Sequence, residues 1–177
     1  MTAGRAASAA PKVELVVLEA AVLEALAVGD RAEAELLTGL VFPEFFDSQK
    51  WLWRLHLDRM REHPASVGWL ARAVVDSASG EVVGNAGFHF QPDADGMVEI
   101  GYTIVPECRG RGLAKATVAV LLASAAREPG VRTVRATVSP ENAASRAIVG
   151  GHGFLQTGQQ WDEEDGLELV FERAPAL

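Results

Sequence analysis

The part of the chain with the most chemistry in it runs Glu99-Ile100-Gly101-Tyr102-Thr103-Ile104-Val105-Pro106-Glu107-Cys108-Arg109-Gly110-Arg111-Gly112-Leu113-Ala114-Lys115. A β-branched stretch gives way to a glycine-rich loop, and an apolar helical run follows. At such a junction the unpaired N–H groups of the helix start and the positive end of its dipole point at one place. Gly110 and Gly112 let a bulky anion approach the backbone closely. Arg109, Arg111 and Lys115 add cations around the same point in a chain whose net charge is −8, an arrangement that a diphosphate favours. The other use of these residues is a tight turn with solvated arginines.

Two phosphate loops of other kinds do not fit. A Walker loop needs Gly-x-x-x-x-Gly-Lys-Ser/Thr, whereas Lys115 follows Ala114 here. A dinucleotide fingerprint needs a Gly or Ala three residues after Gly112, and that position is Lys115.

The elements around the loop read in order. Val13 to Leu18 is a strand and Glu19 to Val28 a helix. Asp30 is placed to cap a second helix through about Leu37, and Asp47 to cap a third that runs to about His63, where Pro64 stops it. In that third helix Trp51, Leu55 and Leu57 to Met60 are expected in the core; the aromatic cluster Phe42, Phe45, Phe46, Trp51 and Trp53 divides between packing and substrate contact. From Trp69 the texture becomes an antiparallel meander: Trp69 to Val75, Glu81 to Phe90 and Met97 to Val105, with turns at Ser77 to Gly80 and Pro92 to Gly96. After the loop come a helix to about Arg127, a strand from Arg132 to Val138 and a short helix opened by Ser139-Pro140-Glu141-Asn142. A hairpin of Phe154 to Trp161 and Leu167 to Phe171 ends the chain, joined by the acidic turn Asp162 to Gly166.

Composition bounds the rest. At 177 residues, 49% of them hydrophobic, the chain makes one domain, expected over 13–177 behind a disordered tail of residues 1–12. The tail has no uninterrupted apolar run, and Val13 to Val28 carries Glu14, Glu19 and Glu24, so neither a signal peptide nor a membrane span is expected. The acidic charge argues against nucleic acid as a partner. A lone cysteine, Cys108, fits a reducing, cytoplasmic location. His56, His63, His89 and His152 lack metal-ligand spacing, so no metal is expected. Asp93-Ala94-Asp95-Gly96 is read as a hairpin turn, and Cys108 has no histidine pattern to make it a nucleophile.

Arg109-x-x-Gly112-x-Ala114 resembles the acetyl-CoA pyrophosphate motif, Gln/Arg-x-x-Gly-x-Gly/Ala, of the GNAT N-acetyltransferases. Downstream, Pro140-Glu141-Asn142-Ala143-Ala144-Ser145 followed by Gly153-Phe154 is similar to that superfamily's Asn-x-x-Ser segment and its closing Gly-Phe. The resemblance covers about Val13 to Glu172, and the phrasing is closest to the RimJ/RimL-like ribosomal-protein branch. It implies an α/β (α+β) GNAT fold, with a mixed, mostly antiparallel sheet of six to seven strands flanked by helices and splayed at its centre to hold acetyl-CoA.

It further implies roles. Main-chain groups of Ile104 and Val105 would bond the pantetheine arm, the loop Arg109, Gly110, Arg111, Gly112, Leu113, Ala114 and Lys115 would hold the pyrophosphate, and Asn142 and Ser145 would contact the thioester end. Helix capping is the competing use of Asn142 and Ser145. The reaction implied is direct acetyl transfer to a primary amine, on a peptide N-terminus or a small molecule. A free α-amine titrates near about 7.7–8.0 and a lysine near about 10.4, so a proton must leave before attack. Glu99 corresponds to the glutamate many members use as general base, with Glu163 and Glu164 as second candidates. Ala147-Ile148-Val149-Gly150-Gly151 lacks the tyrosine that many relatives use to protonate the thiolate, which leaves Ser145 or water for that step, with Tyr102 read as structural. His89 is placed to reach an acceptor pocket, and the acidic turn from Asp162 fits a cationic acceptor. A non-catalytic acyl-CoA-binding sensor is the rival function, and a homodimer is compatible with the fold.

Overall fold

The computed structural model describes residues 10–163 and 166–175. Within them lies a seven-stranded sheet in the order β1-β2-β3-β4-β5-β7-β6. Its strands are β1 (Val13–Val17), β2 (Ala71–Asp76), β3 (Val82–Phe88), β4 (Met97–Ile104), β5 (Thr133–Val138), β6 (Leu155–Asp162) and β7 (Gly166–Arg173). Every neighbouring pair is antiparallel except β4 and β5. The helices are α1 (Ala20–Val28), α2 (Arg31–Thr38), α3 (Lys50–Glu62), α4 (Leu113–Ala126) and α5 (Ala143–Gly151). That α4 connects β4 to β5 is the reason this pair can run parallel, since a parallel return needs a crossover.

Alternation of side chains along the strands sends two cores to the two faces. On β4, Val98, Ile100 and Ile104 pack with Val118, Leu121 and Leu122 of α4 and with Val134 and Ala136 of β5. The opposite face of β2 sends Ala71, Ala73 and Val75 against α1 and α3 through Leu23, Leu26, Trp53 and Leu57. Over β4 and β5 that second face has, among the described residues, no helix packed on it to match, and Glu99, Gly101 and Thr103 line an open cavity there.

Several boundaries fall as expected. Asp30 caps α2 by accepting from the Glu33 amide at 3.0 Å, and the Asp93 carboxylate closes its hairpin turn by accepting from the amides of Asp95 and Met97. Asp47 does not cap α3. Residues Glu44–Gln49 form a 3-10 turn, α3 begins at Lys50, and Asp47 pairs instead with Arg31 at 3.0 Å. The cause is Phe46, which is fully buried, stacks on Trp53 with centroids 5.0 Å apart and accepts the Trp53 indole N–H on its carbonyl at 3.0 Å. The tight turn delivers Phe46 to that position. Residues 1–9 of the expected tail lie outside the described residues, as do Glu164 and Asp165 of the acidic turn.

Candidate active site

β4 and β5 are paired only at Met97–Thr133, Val98–Val134 and Glu99–Arg135. Beyond Glu99 the two strands part. On β4, the Glu99 carbonyl accepts from His89 and the Val105 amide donates to Val83, so odd-numbered residues turn their backbone toward β3. Alternation then turns the main-chain groups of Tyr102 and Ile104 into the opening. The Ile104 amide is therefore turned toward a ligand in the gap, whereas its carbonyl already accepts from Arg109 Nε. The Val105 amide is not, because it is already bonded within the sheet at 2.9 Å.

A groove of about 540 Å³ runs from this gap to the start of α4, lined by Tyr102, Ile104, Arg109, Gly110, Gly112 and Lys115 among others, with Asn142 and Ser145 on its far wall. Gly110 and Gly112 have φ of +74° and +78°, a left-handed backbone that glycine adopts without steric cost. Gly112 is the N-cap of α4 and no side chain caps that end, so its first amides are left for an anion. Arg109 braces the loop by donating from Nε to the Ile104 carbonyl at 3.0 Å. Leu113 is buried in the core, anchors the helix start and lines the groove together with Ala114 and Lys115.

Arg111 departs from expectation. Its guanidinium turns away from the groove and pairs with the buried Asp76 carboxylate at 2.9 Å. Desolvated, that carboxylate needs a cation more than the solvated loop does. Asn142 is the N-cap of α5 and accepts from the Ser145 amide at 3.0 Å. Capping is thus a real use of its oxygen, and the residue faces the groove as well.

A second cavity of about 870 Å³ lies on the other face, between α3, β3, β4 and the β6–β7 hairpin. Among the described residues its wall holds four carboxylates, Glu99, Asp162, Glu163 and Glu168, against one guanidinium, Arg59. Glu99 accepts a hydrogen bond from the Thr137 hydroxyl at 2.7 Å and lies 3.6 Å from His89 Nδ1. Burial lowers the His89 pKa, with Glu99 pulling it up and Arg59 pushing it down, so the imidazole is neutral at pH 7.

Tyr102 and Thr103 line both spaces. The Tyr102 hydroxyl is buried without a hydrogen bond of standard geometry. Burial raises its pKa, and the nearby Ser145 side chain offsets part of that rise. A cation-bearing groove and an acid-lined cavity thus meet at a parting of two strands, with a protonated phenol between them.

The sequence profile described as the Acetyltransferase (GNAT) domain matches residues 24–155. The chain belongs to the GNAT acetyltransferases. Solved structures repeat the fold along nearly the whole of this acyltransferase. A ribosomal-protein-S5-alanine acetyltransferase from Vibrio fischeri is 15% identical, with a TM-score of 0.63 over 92% of this chain and 93% of that one. The spermidine/spermine N-acetyltransferase SpeG from Vibrio cholerae, in mutant forms, is 15% identical, with a TM-score of 0.64 over 93% and 94%. RimL, a ribosomal L7/L12 α-N-protein acetyltransferase in complex with coenzyme A, is 17% identical, with a TM-score of 0.62 over 92% and 94%. No curated protein matches by sequence.

In this GNAT enzyme the aromatic cluster divides. Phe42, Phe46 and Trp53 are core, whereas Trp51 is 57% exposed on the cavity rim. Leu55, also expected inside, sits on the same rim. Gln49, Leu52, His56 and Arg59 join them on the lining, and the spacing of 52, 55, 56 and 59 is one helical stripe that the sequence carried unread. Asn85 was missed as well. Its signal was a carboxamide in the middle of Val82-Val83-Gly84-Asn85-Ala86-Gly87-Phe88, an otherwise apolar strand.

Proposed function

We propose that the protein transfers an acetyl group from acetyl-CoA to a primary amine, by direct attack with both substrates bound. The observation that carries this reading is the meeting of two spaces at Tyr102 and Thr103. One fits a diphosphate-bearing thioester and the other a cationic amine. Acetyl-CoA supplies an activated acyl carbon. The new C–N bond forms as the C–S bond breaks, so one proton must leave nitrogen and one must reach sulfur.

Glu99 is the base in this reading. Between Glu99 and Thr103 a strand rises about 13 Å, so the proton travels to the carboxylate through water. Thr137 holds the carboxylate in place by its hydrogen bond, and neutral His89 beside it offers a second acceptor. Of the hydroxyls on the groove, those of Tyr102 and Ser145 serve as proton donors to the departing sulfur. A CoA thiol with a pKa near about 8.5 asks little of them. Ribosomal-protein N-termini and polyamines are the acceptors named for the structural relatives, and the acid-lined cavity suits a cationic acceptor of this kind.

Calorimetric titration with acetyl-CoA tests the groove. Lys115→Glu puts a negative charge at the phosphate position without the strain that any side chain would meet at Gly112. Wild-type binding weakened at least about tenfold in the variant supports the assignment. Equal binding by both proteins, or none by the wild type, contradicts it.

A further inference from the structure

Two polar side chains on the second cavity are left unsatisfied by the protein itself. Asn85 is 7% exposed and His56 8% exposed. Both line that cavity, and neither Asn85 Nδ2 nor His56 Nδ1 has a hydrogen-bond partner. A buried donor left unpaired costs about 1–3 kcal/mol, and native proteins keep few. Two in one cavity mark a place where a ligand supplies the missing bonds.

Position says which ligand group. Asn85 stands directly across from Thr103 in the β3–β4 ladder, at the level where the two spaces meet. It lines the acceptor cavity and not the phosphate groove, so its partner belongs to the acceptor. The partner of an N–H donor is an oxygen. A free carboxylate is disfavoured by the four acids of the wall; an uncharged carbonyl meets no such repulsion.

Resting on the amine acetylation above, we infer that Asn85 selects the acceptor by donating from Nδ2 to a carbonyl oxygen next to the reacting amine, so that α-amino amides are preferred over plain alkylamines. The chemistry is shared by a peptide N-terminus and a free amino-acid amide. His56, from α3, is the second contact. Burial first, then Arg59 and His89, lower its pKa to about 4, so it is a neutral imidazole that can donate or accept at Nδ1. Trp51 and Trp161, 57% and 75% exposed on the rim, give the substituent an aromatic platform.

The test uses L-phenylalaninamide, a phenylalanyl tripeptide amide, free L-phenylalanine and phenethylamine, with saturating acetyl-CoA. Rates are compared as pH-independent kcat/KM of the neutral amine, which removes differences in basicity. The wild type is expected to favour both carbonyl amides over phenethylamine by about tenfold or more and to disfavour free phenylalanine. Asn85→Ala and the isosteric Asn85→Leu, checked for folding by circular dichroism, are expected to bring the amide-to-phenethylamine ratio within about threefold of unity. The better of the two amides identifies the source, peptide or free amide. Equal rates in the wild type, or a uniform loss in the variants that preserves the ratio, overturns the selection by Asn85 alone. Failure to acetylate any of the four amines overturns it together with the amine acetylation on which it rests.

Discussion

Arg111 and Asp76 join the glycine loop before α4 to the end of β2 through a single contact, Nη2 to Oδ2 at 2.9 Å. The carboxylate is buried and also accepts from the Ala78 amide at 3.0 Å, whereas the arginine is half exposed. Removing the cation strands a buried charge, a loss that exceeds what the pair adds by existing. Arg111→Ala is expected to lower stability by about 1–3 kcal/mol in denaturant titration. Its affinity for acetyl-CoA should change less than that of Lys115→Glu, which faces the groove.

In the proposed mechanism the Tyr102 and Ser145 hydroxyls divide one task. Burial keeps Tyr102 protonated well past neutrality, so it can donate where a more acidic group could not. Tyr102→Phe is expected to lower kcat by about tenfold with KM for acetyl-CoA little changed, and Ser145→Ala by less. The double variant should lose more than either single one. A smaller loss with acyl thioesters whose thiols have lower pKa values would mark the step as protonation of sulfur.

His56 ties stability to pH. Its pKa is about 4 in the folded protein against 6.5 for a free histidine side chain. Above about pH 6.5 both states are neutral and nothing is lost. As pH falls toward 4 the unfolded chain takes up the proton first, so stability drops by about 3 kcal/mol from this group. His56→Gln lacks that drop. The difference in unfolding free energy between wild type and variant is expected to shrink by this amount from pH 7 to pH 4. His89, also lowered by burial, pulls the wild type in the same direction and is common to both proteins.

Trp51 and Trp53 sit two residues apart and on opposite sides of the argument. Trp53 is fully buried and bonded through its indole to Phe46; Trp53→Ala is expected to cost about 3–5 kcal/mol. Trp51→Ala is expected to change stability by no more than about 0.5 kcal/mol and to raise KM for the acceptor. Chemical denaturation and steady-state kinetics on the two variants separate the roles.

What could be read ahead of the structure follows from the range of the forces involved. The geometry of the glycine loop was legible because its demands are local: glycines at left-handed positions, a helix start and a nearby cation. The strand and helix order was legible for the same reason, carried by short-range periodicity. Arg111 was misplaced because its partner is Asp76, far back in the chain. Val105 was misassigned because the direction of a backbone amide depends on register against β3, which no local pattern encodes. Asp47 looked like a cap until Phe46 beside it was seen to require the core. The second cavity was the least legible part, since α3, β3, β4, β5 and the hairpin each add one wall and only the fold brings them together.

The most direct test of the central claim is steady-state acetyl transfer by Glu99→Gln beside the wild type. Glutamine keeps an oxygen for the Thr137 hydroxyl, so the site should stay assembled while the base is lost. Wild-type acetylation of an amine, verified by mass spectrometry, with kcat lowered by about 10² or more in the variant and acetyl-CoA affinity unchanged, is the expected result. Equal kcat in the two proteins would remove Glu99 from the chemistry, and acetyl-CoA binding by the wild type with no amine acetylated would contradict amine transfer itself.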